Sequence, residues 1–172
     1  MSYTTNRQPQ GIAFSVDNFL RETIIGEIVA INDYSEHIGW CNLDDVNEIL
    51  HHILEDEKRH YGMLLDALRR VDKVQAEKAE EIKEHTVIKS KPFKHVAEKS
   101  KNCSNLLSAI RFDIKGELEA IISYEDIVQK LTDPVLKAMI REIINDEIEH
   151  VEELTKVLLS LDKDCYGPIE NN

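Results

Sequence analysis

Residues that break helices are scarce in this chain: 172 residues contain six glycines and four prolines. Beside abundant Glu, Lys, Leu and Ile, that scarcity favours helices over sheet. Cysteine is equally sparse. Cys41, Cys103 and Cys165 are odd in number, far apart and never in a C-x-x-C pair. A disulfide scaffold and a four-thiolate metal centre are both excluded, leaving three free thiols suited to a reducing compartment. No apolar run approaches the ~20 residues that span a bilayer, and the polar stretch Met1–Gly11 lacks the apolar core of a signal peptide. A cytoplasmic protein with no membrane partner is expected. Positive charge is in deficit, 21 Lys and Arg against 33 Asp and Glu, for a formal net charge of −12. Nucleic acid is therefore an unsuitable partner, because phosphate backbones are bound by clustered Lys and Arg. Cations suit such a surface better. At this length one hydrophobic core is expected, so residues 1–172 are taken as one domain.

What the chain does contain is a sentence written twice. Glu27-Ile-Val-Ala30-Ile31-Asn-Asp-Tyr34 and Glu117-Leu-Glu-Ala120-Ile121-Ile-Ser-Tyr124 share the pattern E-x-x-A-I-x-x-Y. Thirty residues after each leading Glu comes D-E-x-x-H, as Asp56-Glu57-Lys-Arg-His60 and Asp146-Glu147-Ile-Glu-His150. The offset is 90 residues throughout, and aligning 20–73 on 110–163 without a gap gives fifteen identities. Among them are Arg21/Arg111, Gly26/Gly116, Leu64/Leu154, Leu68/Leu158 and Asp72/Asp162. A repeat carrying four carboxylates and two imidazoles is the sequence form of a symmetric two-metal site.

Apolar spacing predicts four amphipathic helices. The first runs from about Ser15 to Ile38, closed by Gly39. The second is capped by Asp44-Asp45 and reaches about Asp72, with a possible extension through the charged run Gln75–Glu84 before Pro92 breaks it. The third starts between Val96 and Leu106 and ends near Leu131. Asp133 followed by Pro134 starts the fourth, which reaches about Leu161, and the tail from Lys163 to Asn172 reads as frayed. Short links make two antiparallel hairpins out of the repeat halves, about 15–73 and 105–163. A 24-residue helix is ~36 Å long, so the crossover of about 74–104 can return along the molecule. The expected fold is all-α: a four-helix bundle of two pseudo-symmetric helical hairpins with one long crossover.

Helical geometry brings the repeated polar residues together. Three residues turn a helix by ~300°, so Glu57 and His60 share a face, as do Glu147 and His150. Seven residues turn it by ~700°, which puts Glu27 with Tyr34 and Glu117 with Tyr124. The interior would receive one Glu from each of two helices, and a Glu with a His from each of the others. Four uncompensated buried carboxylates are costly, whereas two divalent cations would neutralise them. The candidate metal ligands are therefore Glu27, Glu57, His60, Glu117, Glu147 and His150. Glu48-Ile-Leu-His51 is an internal control, because Glu48 lies nine residues before Glu57, about 180° round the helix. Glu48, His51 and His52 are read as surface residues. Metal-bound His commonly donates its second N–H to a carboxylate, so Asp56 is expected to hold His150 and Asp146 to hold His60. Tyr34 and Tyr124 are candidates for bonding a ligand or relaying an electron, or are core tyrosines with satisfied hydroxyls. His37, His85, His95 and Trp40 lack repeat counterparts and receive no role.

These motifs resemble the ferritin-like superfamily of carboxylate-bridged di-iron proteins across both repeat halves. The resemblance implies Glu57 and Glu147 as bridging ligands, with Glu27 and His60, and Glu117 and His150, as terminal ones. Ala30-Ile-Asn-Asp-Tyr34 with Glu57-Lys-Arg-His60-Tyr-Gly-Met-Leu-Leu is similar to encapsulated ferritins, which complete the site across a dimer. Rubrerythrins are similar too, but carry a Glu where this chain has Ala120, and a four-Cys iron domain with no counterpart here. Bacterioferritins ligate haem through a Met where this chain has Lys58, so no haem is expected. The C-terminal segment Cys165-Tyr-Gly-Pro-Ile-Glu-Asn-Asn172 differs from an encapsulated-ferritin cargo tail. By this resemblance the protein is an oxidoreductase and a homo-oligomer, dimer or larger. Two Fe ions would be oxidised by O2 or hydrogen peroxide, as in a ferroxidase serving iron storage or detoxification. Alternatives are peroxide reduction with an external electron donor, a non-enzymatic metal-binding bundle, or a centre holding Mn or Zn, which Glu and His suit equally.

Overall fold

The computed structural model describes residues 15–87, 103–164 and 166–169, and among them are five α-helices and no strand. They are α1 (Val16–Trp40), α2 (Asp44–Val71), α3 (Lys73–His85), α4 (Cys103–Lys130) and α5 (Pro134–Leu161). Residues 41–43 join α1 to α2 and residues 131–133 join α4 to α5, so each pair packs as a hairpin. The hairpins meet through α1 against α4 and α2 against α5.

Local chemistry explains the boundaries, including those the sequence misplaced. Gly39 does not close α1: it is buried inside the last turn, and the helix ends when Cys41 becomes extended, at φ −80° and ψ 134°. The N-cap of α2 is Leu43, which offers no capping side chain, so Asp44 and Asp45 act from the first turn, where they complement the helix dipole. The expected extension of α2 is a separate helix. Asp72 is extended, at φ −109° and ψ 103°, and its carboxylate accepts from Val74 N–H (2.9 Å) and Gln75 N–H (3.1 Å). That cap restarts the chain as α3, which buries none of its residues. Residues 88–102 of the crossover, Pro92 among them, lie outside the described residues. Asp133 caps α5 as expected, accepting from Val135 N–H at 2.7 Å with Pro134 at the helix start. The C-terminal tail is not wholly frayed. The Tyr166 hydroxyl accepts from Arg111 at 2.8 Å, donates to Asp162 at 2.6 Å, and its ring packs on the core.

The repeat shows directly in the core, which divides into two apolar clusters. One gathers Leu20, Leu64, Leu68, Ile140 and Ile143; the other gathers Ile110, Leu154, Leu158, Leu50 and Ile53, their repeat counterparts in the same order. Each fully buried Leu or Ile contributes ~1.5–3 kcal/mol, so these clusters dominate the packing. Arg21 pairs with Asp72, and Arg111 with Asp162, tying each hairpin's first helix to the end of its second. Between the two apolar clusters lies the polar layer.

Candidate metal centre

Glu27, Glu57, His60, Glu117, Glu147 and His150 meet in that layer, none more than 4 % exposed. Each comes from an otherwise apolar helix stripe, so packing the Ile and Leu neighbours on that stripe carries the polar group inward. Their ligand atoms form two overlapping quartets: Glu27, Glu57, His60 and Glu147, and Glu57, Glu117, Glu147 and His150. Glu57 and Glu147 belong to both; the remaining four belong to one each.

Both imidazoles turn Nδ1 inward. His60 Nδ1 lies 3.3 Å from Glu147 Oε1 and 3.8 Å from Glu27 Oε2. His150 Nδ1 lies 3.0 Å from Glu147 Oε2 and 3.6 Å from Glu57 Oε1. The outward nitrogens face aspartates of the opposite hairpin, His60 Nε2 at 3.1 Å from Asp146 and His150 Nε2 at 3.5 Å from Asp56. The tyrosines also cross between hairpins: Tyr34 O–H donates to Glu117 Oε1 and Tyr124 O–H to Glu27 Oε1. Burial, reinforced by neighbouring carboxylates such as Glu117, holds the Tyr34 hydroxyl well above its ordinary pKa. Burial and Glu27 do the same for Tyr124, so both remain neutral donors. Glu48, His51 and His52 are exposed, and so is His85, while His95 lies outside the described residues.

Electrostatics shows why the layer needs compensating charge. Burial drives Glu57 and Glu117 well above the ordinary carboxylate range, with the Glu147 charge adding to it, and burial raises Glu27 as well. For Glu147 burial acts in the same direction, but the imidazoles of His150 and His60 beside it outweigh it and bring it down to about 2. Burial opposes protonation of His60, yet Glu147 and Glu27 overcome this and push it up to about 9. Without a metal the layer is balanced by protons. Glu57 Oε1 and His60 Nδ1 are nevertheless buried with no hydrogen-bond partner, an uncommon state for such groups. A divalent cation would satisfy them, and a mixed carboxylate and imidazole set suits Fe, Mn or Zn. The residues present fit a pair of such ions.

A groove between α1 and α4 leads to this layer. Its cavity is ≈ 50 Å³, and Gly26, Ala30, Gly116 and Ala120 line it beside Tyr34 and Tyr124. A methyl added at Gly116 would meet nothing within 4 Å, so the groove is open at that point. The sequence missed one further polar pair beside it. Asp113, which lines the groove, bonds His37 Nδ1 at 2.9 Å, and both side chains are buried. The signal was present, since Asp113 falls on the stripe of Ile110 and Glu117, but neither residue has a repeat counterpart.

Fold and layer define a ferritin-like helical bundle with a buried carboxylate and imidazole cluster able to hold metal. The rubrerythrin family model matches residues 18–158, and the chain belongs to that family. A stretch of 62 residues is 34 % identical to the encapsulin nanocompartment cargo protein EncC of Myxococcus xanthus. That match covers 36 % of this chain and about half, 48 %, of the relative's length. A solved structure of a hypothetical protein from Pyrococcus furiosus superposes with a TM-score of 0.66, covering 86 % of this chain and 90 % of that one. At 18 % identity it speaks for the fold alone.

Proposed function

We propose that the protein is a di-iron oxidoreductase of ferroxidase type, oxidising Fe(II) with O2 or hydrogen peroxide. One observation carries this reading: two four-ligand sets share Glu57 and Glu147 at the end of an open groove. Iron held there would supply the electrons that reduce the oxidant. In this reading Glu57 and Glu147 would be ligands common to both ions, with Glu27 and His60 holding one and Glu117 and His150 the other. The tyrosine hydroxyls occupy Oε1 of Glu27 and Glu117, which turns each Oε2 toward the cluster. Asp146 accepts the outward N–H of His60, fixing the tautomer that leaves Nδ1 free to bind, and Asp56 stands in the same relation to His150 at the longer distance of 3.5 Å. Ala30 and Ala120 line the groove and leave room there for a small oxidant.

Both quartets draw on both hairpins, which supports treating the chain as one functional unit. Exposed apolar residues on the outer faces of α1 and α4, Ile28, Leu118 and Ile122 among them, support association of copies. The name of the Myxococcus relative, a nanocompartment cargo protein, supports packaging inside an encapsulin shell. Rubrerythrin membership favours a second reading, peroxide reduction at the same site with an external electron donor. Stopped-flow mixing of anaerobic Fe(II)-loaded protein with O2 or peroxide tests both. Fast oxidation at about two irons per chain is expected. Repeated turnover only with an added reductant would favour the second reading, and no fast phase with either oxidant would overturn both.

A further inference from the structure

The molecule carries a second cluster of ligand-type side chains, on the surface where α2 meets α5. His52 and Asp56 are four residues apart on α2, and Glu149 and Glu153 four apart on α5, so each pair shares one helix face. Ligand atoms of His52, Glu149 and Glu153 all lie within 4.8 Å of one another. His52 Nε2 is 3.8 Å from Glu153 Oε1 and 3.7 Å from Asp56 Oδ2. Among the described residues no Lys or Arg forms an ion pair with Glu149 or Glu153.

The internal repeat supplies a control for this cluster. Under the 90-residue offset, His52, Asp56, Glu149 and Glu153 correspond to Glu142, Asp146, Arg59 and Met63. On that other flank a cation is already present. The Arg59 guanidinium bonds Asp146 at 2.6 Å and Glu142 at 3.2 Å, and touches the Met63 sulfur at 3.5 Å. Where Arg59 would fall on the first flank stands Glu149, so a positive charge is replaced by a negative one in otherwise matched surroundings. Arg59 does reach across to Asp56, but through its other oxygen, Oδ1, at 3.0 Å. Oδ2 is left facing His52 and His150.

A second observation points the same way. His150 is 1 % exposed, its Nε2 has no hydrogen-bond partner, and that atom faces the cluster, 3.5 Å from Asp56 Oδ2. The His150 and His52 rings stand edge to face at 6.4 Å. Glu153 Oε2 is likewise buried and unpartnered. Three carboxylates beside an imidazole, with orphaned polar atoms and a guanidinium on Asp56 Oδ1 alone, make a site for an added positive charge.

We propose that His52, Glu149 and Glu153, with Asp56 Oδ2 behind them, bind a third divalent transition-metal ion, distinct from the buried pair. One imidazole and several carboxylates suit Zn(II), Fe(II) or Mn(II), and half-exposed ligands leave room for water to complete the coordination. The site stands on its own residues and does not depend on the ferroxidase reading.

Zn(II) is the probe. Equilibrium dialysis with elemental analysis gives ions per chain, and anomalous scattering from zinc-grown crystals gives their places. The wild type should bind three, one of them among His52, Glu149 and Glu153. His52→Ala and Glu149→Arg should each lose that ion alone, the latter because its guanidinium reproduces the opposite flank. Glu57→Ala should lose the buried pair and keep the surface ion, which separates the two readings. No zinc at the cluster when the buried centre is full would overturn the proposal. So would a His52→Ala protein that still holds three ions.

Discussion

The two halves of the bundle agree where the polar layer lies and part company on either side of it. Inside the layer each Glu, His, Asp and Tyr has a twin 90 residues away and the tyrosine contacts match, Tyr34 to Glu117 and Tyr124 to Glu27, while Glu147 alone lies closest to Nδ1 of both imidazoles. Outside it the twins diverge. His37 and Asp113 form a buried pair at one end of the α1 and α4 contact, whereas their counterparts are Ile127 and Thr23. Thr23 is satisfied locally, its hydroxyl bonding Leu20 C=O at 3.0 Å. Arg59 neutralises one flank and Glu149 leaves the other acidic. A pair of like ions would ask for equivalent ligands from both hairpins, while the flanks carry no such demand and differ in charge.

The sharpest break of this comparison is at the layer itself. Glu57→Ala removes a carboxylate common to both quartets and should abolish binding of both buried ions, while Glu48→Ala, on the exposed face, should leave them. Metal content per chain measures the difference. Next is the end of the groove. His37→Leu strands Asp113 without its partner and should cost about 3 kcal/mol in urea unfolding. Copying the other half, His37→Ile with Asp113→Thr, should bring stability back to within about 1 kcal/mol of the wild type.

Proton balance gives a third test. His60 is raised in the folded state to about 9, so the stability it contributes is fully present below its unfolded pKa of ~6.5 and is lost as pH rises through about 9. The raised carboxylates Glu27, Glu57 and Glu117 act with the same sign, because folding binds protons that the unfolded chain releases. Metal-free protein should lose roughly 5 °C or more in Tm between pH 6.5 and 9. The loaded protein, with cations in place of protons, should stay nearly level over that range. Asp146→Asn, which takes the negative charge from the acceptor of His60 Nε2, should weaken metal binding about tenfold. Asp56→Asn should do less, since its contact with His150 is longer, at 3.5 Å against 3.1 Å. Smallest of all, Gly116→Ala should raise stability by about 0.5–1 kcal/mol without changing metal content. The added methyl has room, and Ala is the better helix former.

The repeat made the fold and the six layer residues legible, because apolar spacing and ligand spacing reinforce each other on the same stripes. Boundaries were harder. Gly39 looks like a stop, but no positive φ is used there, so the helix runs on to Trp40. The charged run after Asp72 has the spacing of a continuing helix. Only the Asp72 carboxylate, capturing two amides while pairing with Arg21, shows why the chain breaks and restarts. His37 and Asp113 are invisible to the repeat, because Ile127 and Thr23 stand at the matching positions. Their place on buried stripes, where a charged group without a partner is costly, was the signal available.

If the two hairpins share a pair of ions at Glu57 and Glu147, anomalous scattering from crystals grown with Mn(II) will locate both. Two strong peaks ~3.5–4 Å apart are expected, each against one of His60 Nδ1 and His150 Nδ1, with both glutamates between them. Manganese confined to the protein surface, with the Glu57 and Glu147 carboxylates free of metal, would contradict the shared pair.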